Sequence, residues 1–253
     1  VSIFPTTENN INKHQVTLLR VSDHQLQVLY EDNHIIALNK GTSDLVQGDK
    51  TGDISLDKQL KIFLKQKYNK PGNVFVGVIH RLDRPVSGVV LFAKTSKGLS
   101  RMNKLFQQKE LQKTYWAIVK NQPPKSEDRL THYLVRNEKK NKSFAYTKPQ
   151  SNSKQAELTY RLLASSERYH LLSIDLHTGR HHQIRAQLAA IGSPIKGDLK
   201  YGYPRSNPDG GISLHAREIS FEHPVKLEPV KIIANPPADK LWDYFVEHGG
   251  KSL

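Results

Sequence analysis

Residues 75–93 read FVGVIHRLDRPVSGVVLFA, two apolar runs separated by a polar turn that packs His80, Arg81, Asp83 and Arg84 around Leu82. The flanking runs have the β-branched and aromatic composition of strands, so one strand is expected over Phe75–Ile79 and another through Val89–Ala93. Between them, opposite charges at close range favour an ionised Asp83 and can hold it in one direction. Charge pairing also ties down ordinary surface carboxylates, so the turn alone leaves a structural and a catalytic reading of Asp83 both open.

Outward from this centre the pattern is mixed. QLQVLYEDNHIIALNK (25–40) offers two short strands about a polar turn, with Val28 and Tyr30 in the first and Ile35 to Leu38 in the second. Ser55 is placed to cap a helix carrying Leu56, Leu60, Phe63, Leu64 and Tyr68 on one face, stopped by Pro71-Gly72. Leu99, Met102, Leu105 and Phe106 recur at helical spacing over about 96–108. KTYWAIVK (113–120), AELTYRLL (156–163), YHLLSIDL (169–176), ISLHAREISF (212–221) and EPVKIIA (228–234) read as strands. In YHLLSIDL, Leu172, Ile174 and Leu176 fall on one side, and Leu171, Ser173 and Asp175 on the other. The basic stretch 121–154, centred on NEKKNKS, fits either a disordered insertion or strand fragments and a hairpin. Many strands with a few interposed helices give an α+β fold class.

A second polar cluster lies in GRHHQIRAQLAAIGSPIKGD (179–198), where Ile184, Leu188 and Ile191 form a helical stripe that Gly192 can end. Beside that stripe Arg185 can pair with Asp83, bind phosphate or serve in a structural ion pair, and Gln183 adds an amide at the same junction. Tyr115 can stack on a base or simply pack within its strand. His181-His182 invites a metal reading, but HExxH spacing and cysteine are both lacking, so no metal site is expected.

Composition narrows the function. The 253 residues carry 38 Lys and Arg against 24 acids, a formal charge of +14, spread along the chain rather than gathered in a tail. Such a surface favours a polyanion partner, although a merely solvated basic face produces the same count. The absence of cysteine removes thiol nucleophiles and disulfides and fits a reducing cytoplasm. No apolar run approaches the ~18 residues needed to span a bilayer, so no membrane association is expected. GDKTGD (48–53) is not a P-loop, no GxGxxG follows a strand and no GxSxG occurs, which removes the common nucleotide, dinucleotide and serine-hydrolase sites.

Four motifs in one order resemble the RluA-type RNA pseudouridine synthases over roughly residues 28–235: YEDNHIIALNK (30–40), HRLDRPVSGVVLFAKT (80–95), KTYWAIV (113–119) and GRHHQIRAQLAAIGSPIKGD, followed by a short LHA at 214–216. The resemblance implies a mixed, largely antiparallel sheet split by a catalytic cleft and flanked by helices. It implies Asp83 as the essential carboxylate, Tyr115 as the active-site aromatic and Arg185 as the partner of the aspartate. Arg81, His182, Gln183 and Leu214 become expected substrate contacts. The implied reaction detaches uracil from C1′ of a uridine and rejoins it through C5, by attack of Asp83 on C1′, by elimination to a glycal or by attack on C6, with no cofactor. The implied partner is structured RNA, 23S ribosomal RNA or transfer RNA, met by a cytoplasmic monomer. A noncatalytic RNA-binding or ribosome-assembly protein on the same fold is the alternative, and an RNA hydrolase using Asp83 a further one.

The chain departs from that pattern at NKGTSD (39–44), where a Pro-Ala-Gly-like turn is usual, at His181 in place of Thr, and at Gly197-Asp198-Leu199 in place of a GDP segment. About 27 residues precede the first core strand, too few for the S4 domain found in many relatives. The expected organisation is an extension over 1–27, a catalytic domain over 28–235 and a carboxy-terminal helix or tail over 236–253.

Overall fold

The computed structural model describes residues 26–49 and 51–249, so most of the expected amino-terminal extension lies outside the described residues. The first hairpin pairs β1 (Val28–Glu31) with β2 (Ile35–Lys40). Its turn is closed by Asp32, whose Oδ1 accepts the N–H groups of His34 and Ile35, both at 2.7 Å. Helix α1 (Leu56–Lys67) lays Leu56, Leu60 and Leu64 against Ile36 and Leu38 of β2. Ser55 takes the expected N-cap position, but its hydroxyl bonds Asp57 instead of a free backbone N–H.

The strand expected over Phe75–Ile79 shortens to β3, Gly77–Val78, while β4 (Ser87–Ala93) is buried along its whole length. Where β3 would have continued, the N–H of Leu91 donates to the His80 ring at Nε2 (3.1 Å), so a side chain ends the ladder. Helix α2 (Ser96–Gln108) begins where Thr95 accepts the N–H of Gly98 at 3.0 Å. Strand β5 (Gln112–Val119) follows, then the long strand β6 (Glu127–Asn137) and β7 (Lys142–Tyr146). The basic centre NEKKNKS is therefore the turn of an ordered hairpin, the second of its two expected forms. Strands β8 (Lys154–Ser165) and β9 (His170–Leu176), helix α3 (Gln183–Ala190), β10 (Leu214–Glu222), β11 (Pro229–Ile233) and helix α4 (Lys240–His248) complete the described chain. Among the described residues no helix is long and apolar enough to cross a membrane.

All eleven strands join one mixed sheet, ordered β1-β2-β4-β10-β5-β9-β8-β6-β7, with β3 on β4 and β11 on β10. Alternation along the central strands sends Tyr115, Leu172 and Ile174 to the face covered by Ile184 and Leu188 of α3. It sends Trp116, Ile118 and Leu171 to the opposite face, where Trp242 and Phe245 of α4 cover them. The carboxy-terminal helix is thus packed onto the sheet.

The sheet divides where β10 meets β4. These two strands run parallel and pair only at His215–Ser87 and Ala216–Gly88, after which β10 pairs with β11 and β4 with β3. Gly88 makes that approach feasible: its φ is +114°, and a Cβ there would lie 2.3 Å from the carbonyl oxygen of Ala216. His215 fastens the same seam, with Nδ1 2.9 Å from the Ser87 hydroxyl and Nε2 3.1 Å from the carbonyl of Ala234. Burial pushes its pKa down to about 4, and burial together with Lys113 pushes that of His80 down to about 3.

Two outcomes follow from this seam. Gly88→Ala is expected to lose more than about 2 kcal/mol, because the added methyl meets backbone and not a yielding side chain; an unchanged thermal midpoint would show that the strands need not approach so closely. Below the ordinary histidine value near 6.5 the unfolded chain takes up protons that folded His80 and His215 refuse. Stability should therefore fall as pH drops from about 7 toward 4, each histidine contributing up to about 1.4 kcal/mol per unit. Denaturant titrations at several pH values should show a shallower slope for His215→Gln.

Candidate active site

The turn between β3 and β4 is held by its backbone. Four consecutive carbonyls are occupied: that of Asp83 by the N–H of Val86, that of Arg84 by the N–H of Ser43, that of Pro85 by the N–H of Ile212, and that of Val86 by the Lys40 ammonium at 2.7 Å. Lys40 also donates to the carbonyls of Arg84 (2.9 Å) and Gly41 (2.8 Å) and is 1% exposed. Burial lowers its pKa to about 8, against the opposing pull of Asp44 and Asp83. A buried ammonium satisfied by three carbonyls acts as a rivet under the loop, because withdrawing it would leave those acceptors unpaired. The neighbouring NKGTSD turn is closed by Asp44, whose carboxylate accepts the N–H of Gly41 at 3.0 Å.

Arg185 reaches the loop from α3. Its Nε and one terminal nitrogen clasp both oxygens of Asp198 at 2.7 and 2.9 Å, a bidentate pair that fixes the plane of the guanidinium. The other terminal nitrogen donates to Asp83 Oδ2 at 3.0 Å. Arg185 and Asp198 have side chains only 5% and 1% exposed, whereas Asp83 is 32% exposed. Burial alone would lower the arginine pKa, but Asp198 and Asp83 outweigh it and raise it, so the cation is permanent. One positive charge thus faces two carboxylates, and the buried one takes the larger share. Asp83 is left anchored through Oδ2, with no hydrogen bond to Oδ1 among the described residues.

Every residue singled out in the sequence lines one cavity of about 630 Å³: Arg81, Asp83, Tyr115, His182, Gln183, Arg185 and Leu214. That volume lies in the range of small-ligand sites. Tyr115 packs with Leu214 in the central core. Burial, then the charge of Asp83, pushes its phenol well above the ordinary value, so at neutral pH it is a hydrogen-bond donor and not a base. His182 stands in the left-handed conformation (φ 52°), with Nε2 3.4 Å from Asp83 Oδ2 and Nδ1 3.0 Å from the Tyr201 hydroxyl. Burial and Arg185 drive its pKa down to about 2, so it borders the aspartate as a neutral ring. His181 stacks on it at 3.8 Å between ring centres.

Gln183 is occupied by the fold: its Oε1 accepts from the Thr178 hydroxyl and the N–H of Arg180, and its Nε2 donates to the carbonyl of Glu157. The amide orients the β9–α3 turn. Arg81 is exposed at the rim and makes no ion pair among the described residues. Asp198, Lys40 and Tyr201 were not foreseen as site residues. Asp198 sits thirteen residues beyond Arg185, outside any helical spacing, and Lys40 reads as the polar end of a strand.

A fixed carboxylate with one open oxygen, a neighbouring phenol and a cationic rim suit nucleophilic or proton-transfer chemistry on a polyanionic substrate. The chain is 31% identical over 227 residues to the tRNA pseudouridine synthase C of Pectobacterium carotovorum, a match covering 83% of this chain but 58% of that longer relative. It is 32% identical over 233 residues to the ribosomal large subunit pseudouridine synthase C of Vibrio parahaemolyticus, covering 88% of this chain and 70% of the relative. The fold is shared with the solved structure titled human RNA pseudouridylate synthase domain containing 4, with a TM-score of 0.73, 21% identity and coverage of 92% and 95%. A family model described as RNA pseudouridylate synthase matches residues 34–190, a span holding Asp83, Tyr115 and Arg185, and the chain belongs to that family.

Proposed function

We propose that the chain isomerises uridine to pseudouridine in structured RNA, with transfer RNA or ribosomal RNA as substrate and Asp83 as the catalytic carboxylate. The observation that carries this reading is the asymmetric tie of Asp83: Oδ2 is held by Arg185 while Oδ1 accepts no hydrogen bond among the described residues, in a side chain that is 32% exposed and lines the cavity. Breaking the N1–C1′ bond leaves the ribose carbon electron-poor and the uracil anionic. An ionised Oδ1 can add to C1′ or take the C2′ proton; the base then turns and C5 bonds C1′, displacing the carboxylate in the first case and with the proton returned to C2′ in the second, while C5 gives up its own proton and N1 gains one. Tyr115 supplies a flat wall and an O–H donor beside the reacting base. Arg81, His182 and Leu214 line the same space as substrate contacts. The uridine must leave its stack to enter, at a cost of a few kcal/mol that cationic contacts to the RNA can offset.

The decisive experiment maps pseudouridine across total RNA from cells lacking the gene and from cells rescued by wild type or Asp83→Asn. A site restored only by wild type establishes the activity and its substrate; restoration by Asp83→Asn would remove Asp83 from the chemistry and favour a noncatalytic RNA-binding protein. Asp198→Asn weakens the grip on Arg185 without touching the cavity wall. It should slow the single-turnover rate by about a hundredfold through misplacement of Asp83, with RNA affinity changed little. An equal loss of affinity and rate would mean that Asp198 serves binding and not positioning.

A further inference from the structure

A second cavity of about 770 Å³ continues from the catalytic one, and the two share Phe106, Lys113, Leu176, Gly179 and Arg180 in their walls. It runs along the start of β5 and the β9–α3 turn. Two carboxylates line it, and both are engaged: Glu157 receives Arg129 at 2.9 Å and the Gln155 amide at 2.7 Å, and Asp175 receives the Thr114 hydroxyl at 2.9 Å. The cations are less engaged. Lys109 and Lys113 have no carboxylate or hydrogen-bond partner among the described residues, and Arg180 uses only its Nε, on the carbonyl of Gln155. The groove is thus lined by four cations, Lys109, Lys113, Arg129 and Arg180, against two carboxylates, Glu157 and Asp175, and its excess charge is positive directly beside the first cavity.

Lys113 is the informative member. It stands two residues before Tyr115 on β5, so both side chains leave the same face of the strand, and it lines both cavities. It is half-buried, and burial alone lowers its pKa. Its ammonium lies 5.4 Å from the centre of the Phe106 ring, whose other neighbour is the stacked ring of His80. A cation in partial burial without an anion is costly, and a phosphate offers the missing charge and acceptors.

We propose that this second cavity seats a phosphodiester adjoining the target uridine on the same RNA strand, with Lys113 as its central cation and Lys109 and Arg180 beside it. The proposal rests on the RNA isomerase reading and makes Lys113 a positioning residue: holding the adjoining phosphate fixes how far the extruded nucleotide enters.

The test uses the full chain in an Asp83→Asn background, so that RNA binds without turnover, with bulk transfer RNA from cells lacking the gene as probe. Measured across ionic strength, Lys113→Gln should weaken binding several-fold and lower the slope of log affinity against log salt by about one unit, while Lys113→Arg keeps both near the parent. A stem-loop bearing the mapped uridine, with a neutral methylphosphonate at each flanking phosphate in turn, locates the contact. One substitution should weaken binding to the parent and add nothing to Lys113→Gln. An unchanged salt slope, or equal loss from the methylphosphonate in both proteins, overturns the proposal. Should Lys113→Gln fail to fold, Arg180→Gln carries the same comparison. Absence of pseudouridine formation by the Asp83 protein would sink the isomerase reading separately, with the salt slope still deciding whether the groove holds phosphate.

Discussion

Arg185 is a permanent charge placed where few charges survive, beneath α3 and nearly out of reach of water. Removing such a group from solvent costs several kcal/mol, and only well-made hydrogen bonds to opposite charge offset it. Asp198 meets most of that requirement by clasping two guanidinium nitrogens. What remains is one N–H direction, and it points at Asp83. The same buried pair that satisfies the core therefore aims the Asp83 carboxylate.

Aiming works only if the loop that carries Asp83 stays still. Lys40 from below, Ser43 and Ile212 from the sides and the turn bond of Val86 occupy its carbonyls, and Gly88 lets the following strand press against β10. Loop, seam and ion pair form one assembly drawn from both halves of the chain. Neutral His182 and protonated Tyr115 border the aspartate without competing for its charge. In the adjoining cavity Lys109, Lys113, Arg129 and Arg180 outnumber Glu157 and Asp175, an excess of the kind that favours a polyanion.

Much was legible in the residues themselves. The helix over 96–108, the hairpin about Asp32 and the strands holding Tyr115 and Leu172 follow from spacing, turn chemistry and composition, which are local properties. The strand over Phe75–Ile79 was overestimated because its end is set by a contact from His80 to Leu91 eleven positions away, invisible to any pattern of neighbours. The basic stretch around NEKKNKS was ambiguous for a related reason: β6 is held by pairing with β8 and β7 in turn by pairing with β6, and composition records charge but not partner.

At the site the division is the same. Asp83, Tyr115 and Arg185 could be singled out because each stands in a motif whose residues are contiguous, and the fold brings the three to one cavity. Asp198, Lys40 and the groove around Lys113 were not, since their importance lies in what they face: a guanidinium thirteen residues away, carbonyls more than forty residues away, and a lysine that makes no ion pair among the described residues. Sequence determined the chemical groups, their charge and the local elements that bear them. Tertiary structure alone decided which groups meet and which charges stay unpaired, because burial and pairing are properties of positions in space that separation along the chain does not encode.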